Sequence, residues 1–372
     1  MRVIVIGAGI AGLTTAIALG RRGVRCAVVE RAALLPGTGG GLQLSPNATT
    51  ILRDLGVEVA GAIEPVAREL RRWRDGRLLG QVELGAAEQR YGAPYYTLRR
   101  GALCRELYET AVRIHGPGTV RLGRACTGIT EDPDGVVVEL DDGRRLRADA
   151  VVGADGLGSV VRRRLSGDVP RFSGYVAYRA VLPDAPFPAD RVVIWLGPGR
   201  HCVAYPVRGG VNLVAMLPAA APPAAARRVP ALELLAGYAG WDPAVRDLLS
   251  AAGRFDRHPL FDRDPLPAWS RGRVGLAGDA AHPMLPFLAQ GACQAIEDAD
   301  ALARHIHRPD AFARYEAERR DRADRVVAVT RASARINHLP DGPAQQERDA
   351  QLAGAGLAGL DWLYGRPERA RA

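Results

Sequence analysis

The fold is decided near the start of the chain by the stretch RVIVIGAGIAGLTTAIALGRRGVRCAVVE, residues 2–30. A β-branched run leads into a glycine-rich turn, a helical stretch and a second apolar run that ends at Glu30. Gly7 can make the tight turn, Gly9 lets a pyrophosphate approach the backbone, and Gly12 lets the helix pack on the strand. Glu30 lies 18 residues beyond Gly12, where it can accept hydrogen bonds from ribose hydroxyls. The stretch therefore predicts a βαβ dinucleotide-binding unit.

The composition of the chain is typical of soluble globular proteins and excludes several chemistries. Its 372 residues are 47% hydrophobic and 24% charged, and no apolar run approaches the ~20 residues that cross a bilayer. All 50 basic residues are arginines, which excludes Schiff-base, pyridoxal phosphate and P-loop lysine chemistry. The five cysteines have no metal-ligand spacing, and no basic stripe carries interleaved aromatic residues. We therefore expect a cytoplasmic protein with no membrane, nucleic-acid or metal partner.

Further along the chain, the hydrophobic pattern changes. Residues 135–140 and 144–152 predict a hairpin that feeds a buried strand, which ends in the sequence Gly-Ala-Asp-Gly at 153–156. From 172 to 217, four runs alternate with a period of two, which predicts an antiparallel sheet. The alanine- and proline-rich stretch 218–230 is interpreted as a connection.

The C-terminal part is predicted to be mainly helical over 294–335 and 343–363. Within it, GAGLAG at 354–359 repeats the glycine spacing of the first motif, but it follows a helical stretch and is interpreted as a break between helices. The alternation of patterns predicts an α/β (α+β) two-domain fold. A Rossmann-like nucleotide-binding domain would hold an inserted antiparallel-sheet domain and be followed by C-terminal helices.

Several further motifs occur in a fixed order after the first one. They are GGGLQLSPNA at 39–48, GADGLGSVVRR at 153–163, FSGYVAYRAVLP at 172–183, GDAAHP at 278–283 and DWLYG at 361–365. Together with the first glycine motif, this order resembles the single-component FAD-dependent aromatic hydroxylases. It is most similar to the branch that contains salicylate hydroxylase, 3-hydroxybenzoate 6-hydroxylase and 6-hydroxynicotinate 3-monooxygenase, and the resemblance covers nearly the whole chain.

The resemblance gives the predicted domains their roles. The discontinuous FAD-binding domain would comprise 1–70, 97–165 and 265–338, the substrate-binding sheet domain 71–96 and 166–264, and the C-terminal helical segment 339–372.

The resemblance also implies FAD as cofactor, with NADH or NADPH as a transient co-substrate. The implied FAD contacts are Gly7, Gly9, Ala11, Gly12, Glu30, Arg31, Gly41, Arg100, Asp155, Asp279, Gly291 and Ala292. Gly39 to Gly41 would form a loop against the flavin ring. Asp279 would hydrogen-bond the ribityl chain, and the helix beginning near Gly291 would point its N–H groups at the N1–C2=O edge, where reduced flavin is an anion.

For two residues of these motifs, more than one role is considered. Arg162 is expected either to form a structural ion pair or to contact the cofactor. His282 is expected to pack beneath the cofactor rather than to transfer protons.

The activity that the resemblance implies is hydroxylation of a small aromatic substrate, phenolic or N-heteroaromatic and acid-like, with NAD(P)H and O2 through a flavin C4a-hydroperoxide. One alternative is epoxidation or another oxidative tailoring of a specialised metabolite. A different class of alternative is a flavin-binding redox sensor that does not turn over. We expect a monomer or homodimer.

The catalytic prediction rests on RHCVAYPV at 200–207, where His201 and Tyr205 share one face of a strand, about 13 Å apart at ~3.3 Å per residue. A base that deprotonates a phenol raises the electron density of the ring, and histidine suits this task. The His-x-x-x-Tyr spacing resembles the active-site pair of the hydroxynicotinate branch. The resemblance thus implies His201, Tyr205 and Pro286 as catalytic residues, although structural roles in the sheet stay open for the first two. The predicted substrate-binding residues are Leu42, Arg179, His201, Tyr205, Met216 and Leu285.

Overall fold

The described part of the chain, residues 1–35, 40–223 and 227–366 of a computed structural model, forms strands and helices throughout its length. The strands are β1 (Arg2–Ile6), β2 (Arg25–Val29), β3 (Gly41–Leu44), β4 (Ala67–Arg72), β5 (Leu78–Glu83), β6 (Tyr96–Arg99), β7 (Val120–Arg121), β8 (Cys126–Asp132), β9 (Gly135–Leu140), β10 (Arg145–Ala148), β11 (Ala150–Gly153), β12 (Arg171–Leu182), β13 (Arg191–Gly197), β14 (Arg200–Val207), β15 (Gly210–Pro218), β16 (Arg227–Pro230), β17 (Arg254–Asp262), β18 (Ser270–Arg271) and β19 (Val274–Leu276). The helices are α1 (Ile10–Gly20), α2 (Pro46–Asp54), α3 (Ala87–Tyr91), α4 (Arg100–His115), α5 (Arg162–Leu165), α6 (Leu232–Leu235), α7 (Pro243–Ala251), α8 (Gly291–His305), α9 (Ala311–Ile336), α10 (Pro343–Ala353) and α11 (Asp361–Tyr364). Short 3₁₀ turns cover Leu84–Ala86, Ala236–Tyr238, Gly278–Ala280, Pro286–Leu288 and Leu357–Leu360.

The nucleotide-binding half is built on a six-stranded sheet with the order β18-β19-β11-β1-β2-β7. Its strands are parallel except for the edge strand β18. The strands β1, β2, β11 and β19 are almost wholly buried, as their continuous apolar runs require. Helix α1 packs against α4 and α8, and the predicted hairpin forms part of the three-stranded sheet β10-β9-β8. The Rossmann-like prediction is confirmed.

The inserted part is built on an eight-stranded sheet with the order β16-β17-β12-β15-β14-β13-β4-β5. The four predicted strands are β12 to β15, and they pair antiparallel as expected. Strand β4 pairs parallel with β13 in the same sheet. The predicted domain boundary at residue 70 therefore falls within a strand of this sheet, and the division into domains stays a prediction.

The prediction that 218–230 is only a connection is wrong at its end. Arg227–Pro230 forms the edge strand β16, which pairs antiparallel with β17. The composition hid this strand because alanine and proline are poor strand formers, but an edge position tolerates proline. Residues 224–226 lie outside the described part of the chain.

The alternation of residues in the large sheet separates two environments. On one face, Trp195, Cys202, Ala204, Leu213 and Ala215 pack into a hydrophobic core under α6 and α7. Because side chains of a strand alternate between faces, their neighbours in sequence point to the opposite side of the sheet. That opposite face borders the cleft described below.

The C-terminal helices connect the two halves of the molecule. Near the start of α9, the Tyr315 hydroxyl donates to the carbonyl oxygen of Leu276 in the six-stranded sheet at 3.1 Å. Beyond its end, the carbonyl oxygen of His338 accepts from the Gly199 N–H, next to β14, at 3.0 Å. The predicted break at 354–359 is confirmed, since it separates α10 from the 3₁₀ turn Leu357–Leu360 and from α11.

Candidate active site

A cleft of about 680 Å³ lies between the carboxyl ends of the parallel strands and one face of the eight-stranded sheet. The predicted site residues that line it are Gly7, Gly9, Ala11, Glu30, Arg31, Gly41, Leu42, Arg100, Asp155, Arg179, His201, Tyr205, Met216, Asp279, Pro286, Gly291 and Ala292. Gly12 and Leu285 do not line the cleft but are buried behind it. Gly39 lies outside the described residues. Motifs from distant parts of the sequence therefore converge on one cleft.

The glycines of the first motif shape the backbone at the nucleotide end of the cleft. Gly7 has a φ of +106°, and a Cβ there would lie 2.4 Å from the carbonyl oxygen of Ala154. A Cβ at Gly12 would lie 1.9 Å from the carbonyl oxygen of Gly7. A Cβ at Gly9 would meet nothing within 4 Å, so this position leaves open room at the cleft. Gly7 and Gly12 permit the close packing of strand, turn and helix, and Gly9 keeps the approach to the helix N-terminus clear.

Glu30 is held at the end of β2 by the backbone. Its Oε2 accepts from the Ala8 N–H and its Oε1 from the Ala32 N–H, both at 2.8 Å. These bonds fix the carboxylate at the rim of the cleft, next to the glycine turn. The position suits a hydrogen bond from a ribose hydroxyl.

Asp155 closes a tight turn after β11. Its carboxylate accepts from the Ser159 hydroxyl at 2.5 Å and from the Val160 N–H at 2.7 Å. Burial raises the pKa of this carboxyl group, although these hydrogen bonds oppose the shift. The carboxylate therefore stabilises its own loop at the edge of the cleft.

Arg162 forms a structural ion pair, one of the two roles predicted for it. It is fully buried, and its guanidinium donates to both oxygens of Asp168 at 2.9 and 2.8 Å. It also donates to the carbonyl oxygens of Ala280 and Ala281 at 3.1 and 2.7 Å. Arg162 thus ties the Asp155 motif to the GDAAHP motif without lining the cleft.

Asp279 is presented by a turn that depends on glycine. Gly278 has a φ of +61°, and a Cβ there would lie 2.9 Å from the Cβ of Ala11. The Asp279 side chain is exposed to the cleft, while the protein around it raises the pKa of its carboxyl group through desolvation. It is free to accept a hydrogen bond from a ligand in the cleft.

His282 supports this turn from below. Its Nε2 lies 2.6 Å from Oδ2 of Asp298, and the same oxygen accepts from the Gly278 N–H at 2.8 Å. Burial alone would raise the pKa of Asp298, but His282 and Arg319 hold it below its usual range. His282 is buried and does not line the cleft, in agreement with the packing role predicted for it.

The N-terminus of α8 faces the cleft at Gly291 and Ala292. Its first turn contains no acidic residue, so no side chain of that turn neutralises the positive end of the helix dipole. Ala289, just before the helix, has a φ of +54°, a conformation that residues other than glycine rarely adopt. The turn that carries Pro286 is therefore bent sharply to deliver this helix end to the cleft.

The sheet wall of the cleft consists of alternate residues of three strands. His201 pairs with Met216 across β14 and β15, and Arg179 of β12 pairs with Val214. Because directly paired residues share a face, these side chains and Tyr205 point into the same space. The predicted common face of His201 and Tyr205 is confirmed.

Tyr205 is packed against a glycine of the opposite wall. A Cβ at Gly41 would lie 2.7 Å from the Tyr205 ring, and the Gly41 N–H donates to Oδ1 of Asn212 at 2.5 Å. Burial raises the pKa of Tyr205, while Arg179 and the amides of Gln43 and Asn212 oppose the rise. The hydroxyl therefore stays protonated at neutral pH.

Two arginines in the cleft have no acidic partner among the described residues. Neither Arg100 nor Arg179 forms a salt bridge with a described carboxylate. Burial lowers the pKa of Arg179, and the nearby Arg100 lowers it further. Arg179 is half-buried and Arg100 is exposed to the cleft, so the pair gives the cleft a positive charge that favours an anionic ligand.

Sequence reasoning missed His338. Its Nε2 lies 2.7 Å from Nδ1 of His201, and the two rings are stacked with their centroids 5.0 Å apart. No motif marks His338, which follows α9 in the stretch between the two predicted helical regions. The contact arises from tertiary packing across 137 positions of sequence.

Two other kinds of site are absent from the described part of the chain. In residues 1–35, 40–223 and 227–366, no group of three or more His, Cys, Asp or Glu side chains is placed to hold a metal ion. Over the same ranges, none of the helices combines the length and the apolarity that a bilayer crossing requires.

Residues 1–247 and 256–330 match a family model described as FAD binding domain. The chain belongs to this family. The 3-amino-4-hydroxybenzoate 2-monooxygenase PtnB3 of Streptomyces platensis is 44% identical, covering 98% of this chain and 96% of the relative. A 3-hydroxybenzoate 6-hydroxylase of Klebsiella oxytoca is 35% identical, covering 99% and 97%. The crystal structure of Klebsiella pneumoniae HpxO complexed with FAD and uric acid has a TM-score of 0.86 at 29% identity, covering 97% of this chain and 94% of that one.

The predicted membership of the FAD-dependent aromatic hydroxylases is therefore confirmed, and with it the FAD cofactor and the monooxygenase class. These relatives are named as enzymes that oxygenate aromatic acids, which fits the predicted hydroxylation and not the epoxidase or redox-sensor alternatives. The cleft also suits the cofactor, because Gly9 leaves room and the α8 N-terminus lacks a neutralising acid. The individual residue contacts stay predictions.

Proposed function

We propose that the protein hydroxylates a phenolic aromatic acid, with 3-amino-4-hydroxybenzoate as the first candidate substrate, using NADH or NADPH and O2. The observation that carries this proposal is Arg179, a half-buried cation on the same cleft face as His201 and Tyr205 that pairs with no carboxylate in the described part of the chain. A substrate carboxylate would supply the missing anion. The substrate named for the 44%-identical relative combines such a carboxylate with a phenol.

The side of the cleft formed by the glycine turn, Glu30, Asp279 and the N-terminus of α8 is called the nucleotide wall below. It would hold FAD through its backbone and its two carboxylates. Gly9 and the N-terminus of α1 would accept the pyrophosphate, Glu30 the adenosine ribose, and Asp279 the ribityl hydroxyls. The N-terminus of α8 would stabilise negative charge on the reduced ring. When bound and reduced by NAD(P)H, FAD supplies the activated oxygen for the reaction.

The sheet wall would bind and activate the substrate. Arg179 would pair with the carboxylate, and Tyr205 would position the ring through a hydrogen bond. His201 would take the phenolic proton, which raises the electron density of the ring ortho and para to the oxygen. In 3-amino-4-hydroxybenzoate the free position of this kind is C5, whereas C2, the position in the name of the 44%-identical relative, is meta to the oxygen and is activated by the adjacent amino group. The apolar side chains of Leu42, Met216 and Pro286 would exclude water around the reacting atoms. Leu285 would support this wall from behind.

The low pKa of His201 limits when this residue can act as a base. Burial, and to a smaller degree His338, lowers the pKa of His201 to about 3, so its ring is neutral at physiological pH and has a free lone pair. A phenolate formed beside the ring would favour the imidazolium, because opposite charges at short distance stabilise each other. His201 would therefore act as a base only with the phenolic substrate in place.

The proposal is tested by NAD(P)H-dependent O2 uptake with a panel of aromatic acids and their analogues without the carboxylate. The panel includes 3-amino-4-hydroxybenzoate, 3-hydroxybenzoate, 6-hydroxynicotinate and 2-aminophenol, and mass spectrometry identifies products with one added oxygen. We expect turnover with at least one hydroxylated acid and a much higher KM for 2-aminophenol. Absence of an oxygenated product from every acid would contradict the proposal.

A further inference from the structure

The cleft-lining histidine is part of a buried histidine pair. His201 and His338 are 4% and 6% exposed, and the contact between Nδ1 of His201 and Nε2 of His338 is 2.7 Å long. At this length one nitrogen must carry the proton and the other must accept it. The Nε2 of His201, which makes no hydrogen bond to a described residue, is the nitrogen left for the cleft.

Hydrogen bonds to the backbone carbonyls anchor both residues of the pair. The carbonyl oxygen of His201 accepts from the buried Tyr238 hydroxyl at 2.9 Å. The carbonyl oxygen of His338 accepts from Gly199, in the turn that precedes β14, at 3.0 Å. The pair is thus anchored at both ends, and its geometry does not depend on exposed side chains.

Aromatic rings enclose the pair and keep water away. Phe287, in the turn after Pro286, lies with its ring centroid 5.5 Å from His201 and 5.7 Å from His338. Tyr175 of β12 lies 4.8 Å from His338. No acidic side chain contacts His338 among the described residues. Burial, and to a smaller degree the charges of Arg200 and Arg348, lowers the pKa of His338 to about 4. His338 is therefore a neutral acceptor or donor and not a cation at neutral pH.

We infer that His338 is a positioning residue that accepts the Nδ1–H of His201 and so fixes the tautomer in which the lone pair of His201 Nε2 faces the cleft. This inference rests on the proposed function, in which His201 is the base. When Nε2 takes a proton from a phenol, the O–H bond breaks, an N–H bond forms, and the ring becomes an imidazolium. Its Nδ1–H then makes a charge-assisted hydrogen bond to His338, which strengthens the base. The opposite tautomer would present an N–H to the substrate, and His201 could not act as a base.

The buried Nδ1 of His338 does not distinguish the two tautomers of the pair. It has no hydrogen-bond partner among the described residues. Buried polar atoms without a partner are uncommon, and they often mark functional sites. In the inferred tautomer this nitrogen carries the second proton of the pair, which leaves Nε2 free to accept.

The first experiment observes the tautomer directly and needs no substrate. FAD-loaded protein is labelled with ¹⁵N-histidine, which gives only seven side chains to resolve. The signals of His201 are assigned by their loss in His201→Gln. We expect a protonated Nδ1 and a bare Nε2 on His201. A protonated Nε2 would overturn the inference, and this result would stand apart from any failure of the proposed function.

The second experiment measures kcat and KM with 3-amino-4-hydroxybenzoate across pH. His338→Phe removes the acceptor, and His338→Gln places an amide oxygen near the position of Nε2. We expect His338→Phe to lower kcat by about 10- to 100-fold below the pKa of the substrate phenol, which is less than the loss of a whole base. KM of His338→Phe should change little, and its loss in kcat should shrink at high pH. His338→Gln should recover most of the wild-type kcat.

A purely structural role for His338 would give a different result. The loss in His338→Phe would then be the same at every pH, or it would be absent, and either result would overturn the inference. Tyr175→Phe, which keeps the ring packed on His338, is the control and should keep the wild-type pH profile. FAD content and the visible spectrum are recorded for each variant. If His338→Phe does not fold, His338→Asn, whose amide is too short to reach, replaces it.

Discussion

The two walls of the cleft present different kinds of chemical group to a ligand. The nucleotide wall presents mainly backbone: glycines without side chains, a helix N-terminus at Gly291, and carboxylates held by N–H groups. The sheet wall presents side chains, with His201, Tyr205 and Arg179 projecting from paired strands. A backbone shape is encoded by a short local motif, whereas a group of side chains depends on strand pairing and on packing. Changes to the two walls should therefore have separable effects.

The largest effect is expected from Gly12→Ala on the nucleotide wall. The added methyl group would lie 1.9 Å from the carbonyl oxygen of Gly7, and overpacking costs about 1–3 kcal/mol or more when the obstacle is rigid. We expect loss of bound FAD, loss of turnover and a lower Tm. The ratio of flavin to protein absorbance and a thermal melt measure this. Gly359→Ala is the matched control, since its Cβ would meet nothing within 4 Å; an equal loss in both variants would contradict the argument.

The next effect is expected from His201→Gln on the sheet wall. Hydroxylation should fall by about 10²- to 10⁴-fold, the contribution of a positioned general base. FAD binding and the flavin spectrum should not change, and the loss should shrink at high pH, where the substrate phenol ionises by itself. Steady-state kinetics across pH, with product analysis, provide the measurement. Near-normal turnover with an unaltered pH profile would make His201 a structural residue of the sheet.

A smaller and more selective effect is expected from Arg179→Gln. Hydrogen bonds to a charged group contribute about 1.5–3 kcal/mol, so KM for an aromatic acid should rise by roughly 10- to 100-fold. KM for 2-aminophenol, which lacks the carboxylate, should stay the same. If both KM values rise equally, Arg179 does not bind the carboxylate. The substitution would then act on the shape of the whole cleft rather than on one contact of the sheet wall.

The smallest effect is expected from Tyr205→Phe. Removing one positioning hydrogen bond costs about 1–2 kcal/mol, which corresponds to a loss of roughly 5- to 30-fold in kcat/KM. The ring that packs on Gly41 is retained, so FAD content should be normal. A loss as large as that of His201→Gln would instead assign the tyrosine a direct part in proton transfer.

The same contrast explains what could be predicted from the sequence. The glycine turn, Glu30 and the Asp279 turn follow local rules of backbone conformation, and the structure brings all of them to one cleft. The shared face of His201 and Tyr205 followed from the period-two pattern. His338 could not be predicted, because its contact with His201 depends on where α9 ends in space. Strand β16 was missed because its alanine- and proline-rich surroundings hide a strand that only its pairing with β17 defines.

The alternation of residues in the large sheet also matters for engineering. Val203 and Val214 point into the cleft, while their sequence neighbours Cys202, Ala204, Leu213 and Ala215 are fully buried in the hydrophobic core on the other face. A library that varies only Val203, Val214 and Met216 would reshape the substrate chamber and leave both the foundation of the sheet and the flavin cradle intact. Under the proposed function, we expect substitutions at these three positions to change substrate preference while FAD binding is retained.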